Sequence, residues 1–278
     1  MGPGLTIHTA MTRIADGRPG KERSTSVRRP RPAGQLLWWL GFTLVPIAWA
    51  IFSATSSSRF VPSPMDVIGA VVPMVRSGEL TTAITQSFVV LFAALFLGIV
   101  LGLLLGMAMG RSPLLHAVLD PYVAVIYTVP SIAVIPILVV VLGWGVFAKI
   151  VIVAFLVLLP VLIHAATGVR KVSKELIEVS TVFCGGRVAL WRDILVPAAL
   201  PTIFPGLRIG AARALTGLIV AELSTLATGL GFVINRHAVN FDMAESTVPV
   251  VVLSLTGFGL KVVLDRAERL LIPWALRK

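Results

Sequence analysis

The side chains able to do chemistry are few in this sequence and poorly grouped for catalysis. His8, His116, His164 and His237 have no metal-ligand spacing, and the lone Cys184 rules out a disulfide framework or a cysteine zinc cluster. "GRPGKERS" contains a Gly-Lys pair, but it lacks the first glycine of a phosphate loop, and Glu22 follows the lysine. Gly143-Trp-Gly145-Val-Phe-Ala148 matches a dinucleotide fingerprint only on paper, with no strand before it and no acidic residue at the ribose position. No Gly-x-Ser-x-Gly elbow is present. The chain is therefore expected not to be an enzyme and to hold no cofactor of its own.

A second set of ionisable groups stands inside apolar stretches. Arg208, Arg213 and Glu222 fall in one such stretch, and Lys261 and Asp265 in another at the spacing of an i,i+4 ion pair. Ions are expensive to hold in lipid, so these side chains must face protein or water. They either line a pathway or form structural pairs, and the residue types leave both readings open. A proton-coupled carrier needs more carboxylates than this.

The elements that must carry these groups follow from composition. Of 278 residues, 56% are hydrophobic and only 13% charged, against about 25% in a soluble domain, so the chain reads as a polytopic membrane protein. The net charge of +11 is explained by the positive-inside rule and not by nucleic acid. Residues 1–35 form a basic tail without apolar period, expected to be disordered, and residues 36–278 a transmembrane domain. The tail ends in "VRRPRPAGQLLWWLGFTLVPIAWA", which fits either a cleavable export signal or, as favoured here, a first span with a basic flank. Six segments meet the ~20-residue requirement of a spanning helix: Gln35–Ser53, Ala83–Gly110, Leu119–Leu142, Phe147–Val169, Ala198–Leu223 and Val248–Leu271. Pro46, Pro130, Pro136, Pro160 and Pro205 interrupt them, so the helices must bundle around something.

Most of the basic residues then fall on one side, including Arg28, Arg29, Arg111, Arg170, Lys171, Lys174, Arg187, Arg192 and Arg266. The other side has only Arg59, Arg76, Lys149 and Arg236, which places both termini in the cytoplasm. Gly98, Gly102, Gly106 and Gly110 share one helix face and mark a close contact, either internal or between subunits. Val67, Ile68, Val71, Val72 and Val75 suggest a short outer helix, either at the lipid interface or packed on the bundle.

The polar insert "KELIEVSTVFCGGRVALWRDILVP", Lys174 to Pro197, lies on the cytoplasmic side between spans four and five. Ser173 can cap a helix with Glu175 in its first turn. Val172, Leu176, Val179 and Phe183 would line a face resting on the bundle, while Lys174, Glu178 and Thr181 line another. Gly185-Gly186 stops this helix, and a second short piece with Val188, Trp191 and Leu195 on a face ends at Pro197. The insert is either an ordinary interfacial loop or a surface for a soluble partner.

This segment resembles the cytoplasmic coupling loop of ABC importer permeases, whose pattern is Glu-Ala-Ala, three residues, Gly, nine residues, Ile, one residue, Leu-Pro. The chain reads Glu178-Val179-Ser180, three residues, Cys184, nine residues, Ile194, Leu195, Val196-Pro197. Cys184 stands where the family has glycine, with glycine one position later. "LDPYVAVIYTVPSIAVIPILVVVLGWG", "VPAALPTIFPGLRIG" and "VAELSTLATGLGFVI" further resemble the sulfonate/nitrate/taurine branch, with a likeness covering roughly Trp39 to Trp274.

The resemblance implies an all-α polytopic permease of six transmembrane helices in the type I importer fold. It implies a coupling loop over 172–197, with Lys174, Glu178, Val179, Ser180, Cys184, Gly185, Gly186, Ile194 and Pro197 as coupling residues. The implied partners are an ATPase dimer that binds the ATP, a second permease subunit, an extracytoplasmic binding protein and the lipid bilayer. Tyr127, Thr128, Ser131, Trp144, Arg213 and Glu222 are candidates for the substrate path. The branch suggests a small anion such as an alkanesulfonate, taurine or nitrate; it also holds carriers of thiamine precursors and riboflavin. An ATP-independent carrier or channel is the alternative class.

Overall fold

The computed structural model describes residues 32–56, 60–182, 186–225 and 228–274, and every regular element among them is helical. α1 (Pro32–Thr55) begins inside the stretch expected to be tail; residues 1–31 lie outside the described residues. Two compact units, Met1–Ala48 and Trp49–Lys278, divide within this helix. In the larger unit, α2 (Pro64–Arg76), α3 (Glu79–Arg111), α4 (Pro113–Thr128), α5 (Ser131–Leu142) and α6 (Val146–Arg170) come first. They are followed by α7 (Lys174–Val182), the single turn α8 (Arg187–Ala189), α9 (Val196–Thr225), α10 (Leu230–Val239) and α11 (Met243–Leu271).

Four helical segments are long and apolar enough to cross a membrane, and the bent pair α4–α5 makes a fifth. The sixth expected span falls on α1, a helix of 24 residues. The segment expected over Leu119–Leu142 is broken at one of the prolines named in it: α4 and α5 meet at 99°. Pro130 causes the break. Its ring pushes Val129 out of the helical region, to φ −64° and ψ 130°, and it offers no amide to continue the ladder.

α6 is the axis of the bundle. Ile152, Val153, Val157, Val161 and Ala165 are all essentially inaccessible, enclosed by α3 and α9. The glycine stripe of α3 lies against α6, so its contact is internal. A Cβ built on Gly98, Gly102, Gly106 or Gly110 would fall 2.6, 2.9, 2.5 and 2.7 Å from the carbonyl oxygens of Ala154, Leu158, Leu162 and Ala166. Both helices repeat every four residues, so the two parallel rods stay in register over three turns.

α2 settles the question of the outer helix. Ser63 caps it in a reciprocal box with Asp66, whose carboxyl is held below the usual range by hydrogen bonds from the Ser63 hydroxyl and amide. Its Val67, Ala70 and Met74 are buried in the main core, so it packs on the bundle. Ile68, Val72 and Val75 remain exposed on the other side.

Candidate functional site

The break at Val129–Pro130 opens a groove of about 510 Å³ between the α4–α5 corner and α9. Tyr127, Thr128 and Ser131 come from the corner and Arg213 and Thr216 from α9, with Leu156 of α6 at the back. The Arg213 guanidinium sits 4.8 Å from the centre of the Tyr127 ring, a cation–π contact. Four of the six path candidates are thus brought together by one proline. Trp144 is not among them: it stands in the turn between α5 and α6, 60% exposed.

Glu222 is not among them either, and its surroundings were not legible in sequence. It is 1% exposed and accepts hydrogen bonds from the Ser87 hydroxyl at 2.7 Å and the Gly231 amide at 2.8 Å. Ser87 in turn accepts from the Leu230 amide at 2.8 Å. Gly229 has φ +101°, and a Cβ there would collide with the carboxylate. Beside it, Lys149 is also 1% exposed and donates to the Thr228 carbonyl at 2.9 Å and hydroxyl at 3.0 Å. Lys149, counted among the few outer-side basic residues, is thus buried. Together these groups fasten the α9–α10 reversal to α3 and α6, with the first two amides of α10 donating one to Ser87 and one to the carboxylate. The only sequence signal was a lysine three residues inside an otherwise apolar helix.

The expected Lys261–Asp265 pair forms, at 2.8 Å. Arg208 joins it, 2.8 Å from Asp265 and in contact with Glu268, so α9 and α11 are bridged by a charge-balanced cluster.

Between α6 and α9 lies the polar connector. The Ser173 hydroxyl accepts from the Leu176 amide at 3.4 Å, at the edge of bonding distance. The Glu175 carboxyl is held below the usual range by its own backbone amide first and by the Ser173 hydroxyl second. The expected faces of α7 are partly reversed. Ser180 is buried and Ile177 half-buried, and Ile177 packs with Val172 against Leu195, Trp191 and Leu190. Leu176, Val179 and Val182 are exposed, at 48, 50 and 77%. Spacing alone cannot choose which of two adjacent stripes docks. Here the smaller Ser180 admits the closer approach. Lys174 and Glu178 are exposed too. Phe183, Cys184 and Gly185 lie outside the described residues. Gly186 precedes α8, where Val188 is 79% exposed.

The expected stop at Pro197 is corrected. A π-helical turn, Leu190–Leu195, leads straight into α9, with Ile194 half-buried within it and Pro197 inside the helix that follows. Proline is tolerated in a first turn, and just before it the Val196 amide bonds the Trp191 carbonyl five residues back, as a π turn requires. α8, the π turn and α9 run as one helical segment, Arg187–Thr225, so the second half of the connector is continuous with span five.

Residues 98–277 match the family model described as binding-protein-dependent transport system inner membrane component. The chain belongs to this family. It is a multi-pass ABC importer permease, and the resemblance read from its connector is correct at that level. It is 31% identical over 240 residues to the putative aliphatic sulfonates transport permease protein SsuC of Escherichia coli, covering 85% of this chain and 90% of that one. It is 34% identical over 160 residues to the riboflavin transport system permease protein RibX of Chloroflexus aurantiacus, and 30% over 165 residues to the taurine transport system permease protein TauC of Escherichia coli. Each of those two matches spans 60% of the relative's length.

Proposed function

We propose that this permease forms the path of an importer driven by a separate ATPase dimer, with both termini and the α6–α9 connector in the cytoplasm. The observation that carries this reading is the continuity of Arg187–Thr225, in which α8 and the π turn run into α9, with α7 in contact with that π turn. An exposed apolar stripe of Leu176, Val179, Val182 and Val188, flanked by Lys174 and Glu178, offers a grip, and the following rod carries Arg213 in the groove. A partner that moves the grip moves the wall of the groove. A second permease subunit, in the simplest case another copy, closes the path, and an extracytoplasmic binding protein delivers the substrate.

Val179→Asp places a charge in that apolar stripe and is expected to weaken co-purification of the ATPase by about tenfold or more, roughly 1.4 kcal/mol. Glu178→Ala is expected to weaken it less. Both should leave membrane insertion unchanged, because neither residue is buried. Undiminished co-purification with both variants overturns the docking assignment.

The substrate is a small organic anion, as the name of the aliphatic sulfonate relative suggests. The riboflavin relative supports a heterocycle instead, but the groove's one charged residue, Arg213, favours the anion.

A further inference from the structure

Arg213 differs from the other cations set well inside the spans. Arg208 is held by two carboxylates, and Lys149 by the carbonyl and hydroxyl of Thr228. Arg213 makes no ion pair among the described residues, and no acidic side chain lines the groove it enters. A guanidinium held only by an aromatic face, in a groove without a carboxylate, is a place for an anion to come from outside. The face of Tyr127 holds it meanwhile. Such a stack is weaker than a bidentate guanidinium–oxyanion pair, so an arriving anion displaces the ring.

The rest of the lining narrows the class. The hydroxyls of Thr128 and Thr216 donate to carbonyls of their own helices, Ala124 and Ala212. That leaves the hydroxyls of Ser131 and Tyr127 and the Arg213 guanidinium as side-chain donors toward the groove, while Ile132, Leu156 and Ile209 supply apolar wall. Nothing there balances an ammonium group, and a second copy of the chain would add the same residues and again no acid.

We infer that Arg213 and Tyr127 form a selectivity pair that admits a singly charged oxyanion with a short apolar tail and discriminates against a zwitterion carrying an ammonium. The inference rests on the proposal that this groove is part of the path. Ethanesulfonate and taurine are the pair of probes, since they differ only by the amine. The melting temperature of the detergent-purified full chain is measured with each, at matched ionic strength, using chloride as reference. Wild type should bind ethanesulfonate at least about tenfold more tightly than taurine. Arg213→Lys should keep the preference, and Arg213→Gln should abolish the ethanesulfonate shift. Tyr127→Leu, which frees the guanidinium, should strengthen ethanesulfonate binding about two- to fivefold. Equal shifts from the two probes in wild type, no shift from either, or an undiminished shift in Arg213→Gln would each overturn the inference. The ATPase co-purification test is independent of this measurement, so failure of selectivity with docking intact removes the inference alone.

Discussion

Replacing Glu222 with alanine is expected to destabilise the protein by on the order of 3–5 kcal/mol, the usual consequence of removing one partner from a buried charged network. Among the described residues the carboxylate is the acceptor of the Ser87 hydroxyl, and it takes the Gly231 amide as well. Without it both donors are buried and unpaired, and Lys149 loses the opposite charge nearest its own buried ammonium. The space around Gly229 and Gly231, shaped to the carboxylate, becomes a void. Glu222→Gln keeps the shape and one acceptor oxygen and should fall between alanine and wild type. Lys149→Met combined with Glu222→Gln should cost less than the sum of the two single changes, because the second removes the charge that the first strands. Melting of the detergent-purified protein measures all four. A Glu222→Ala variant within about 0.5 kcal/mol of wild type would show that the α9–α10 reversal is held by something else.

Gly106→Val is expected to break the pairing of α3 with α6. Even the first added carbon would lie 2.5 Å from the Leu162 carbonyl oxygen, a backbone atom with no rotamer to escape into. The helices must separate, and since Gly98, Gly102 and Gly110 sit in the same seam, separation at one turn loosens the others. Overpacking of this kind typically costs about 1–3 kcal/mol and here should reach the upper end or beyond. Gly69→Ala is the control, since an added methyl on α2 meets nothing within 4 Å and a helical alanine should stabilise slightly. Comparable losses of folded protein from both substitutions would mean that close approach of α3 to α6 is not what requires the glycine.

The two parts of the functional assembly were unequally visible in sequence. The connector announced itself because a polar, cappable helix between apolar spans is a local pattern, and Ser173 does cap it. Its docking face did not, because Leu176-Val179 and Ile177-Ser180 are adjacent stripes of equal spacing on one cylinder, and the choice belongs to the cluster around Leu195 against which Ile177 packs. Of the path candidates, those next to Pro130 or on the facing turn of α9 converge. Trp144 and Glu222 were chosen by residue type alone and lie elsewhere.

By itself the sequence determined the membrane class, the placing of most helices, the i,i+4 pair of Lys261 with Asp265, the small-residue seam and the permease family. All of these depend on neighbours within a turn or two, or on a motif in fixed register. Only the tertiary structure decided that Pro130 turns a span through a near right angle, that Ser87, Glu222 and Gly231 meet, that Arg208 is neutralised and that Arg213 is left over for the groove. Each of those outcomes joins residues far apart in the chain, where periodicity carries no information and the low dielectric of a packed interior makes every charge find a partner or a purpose.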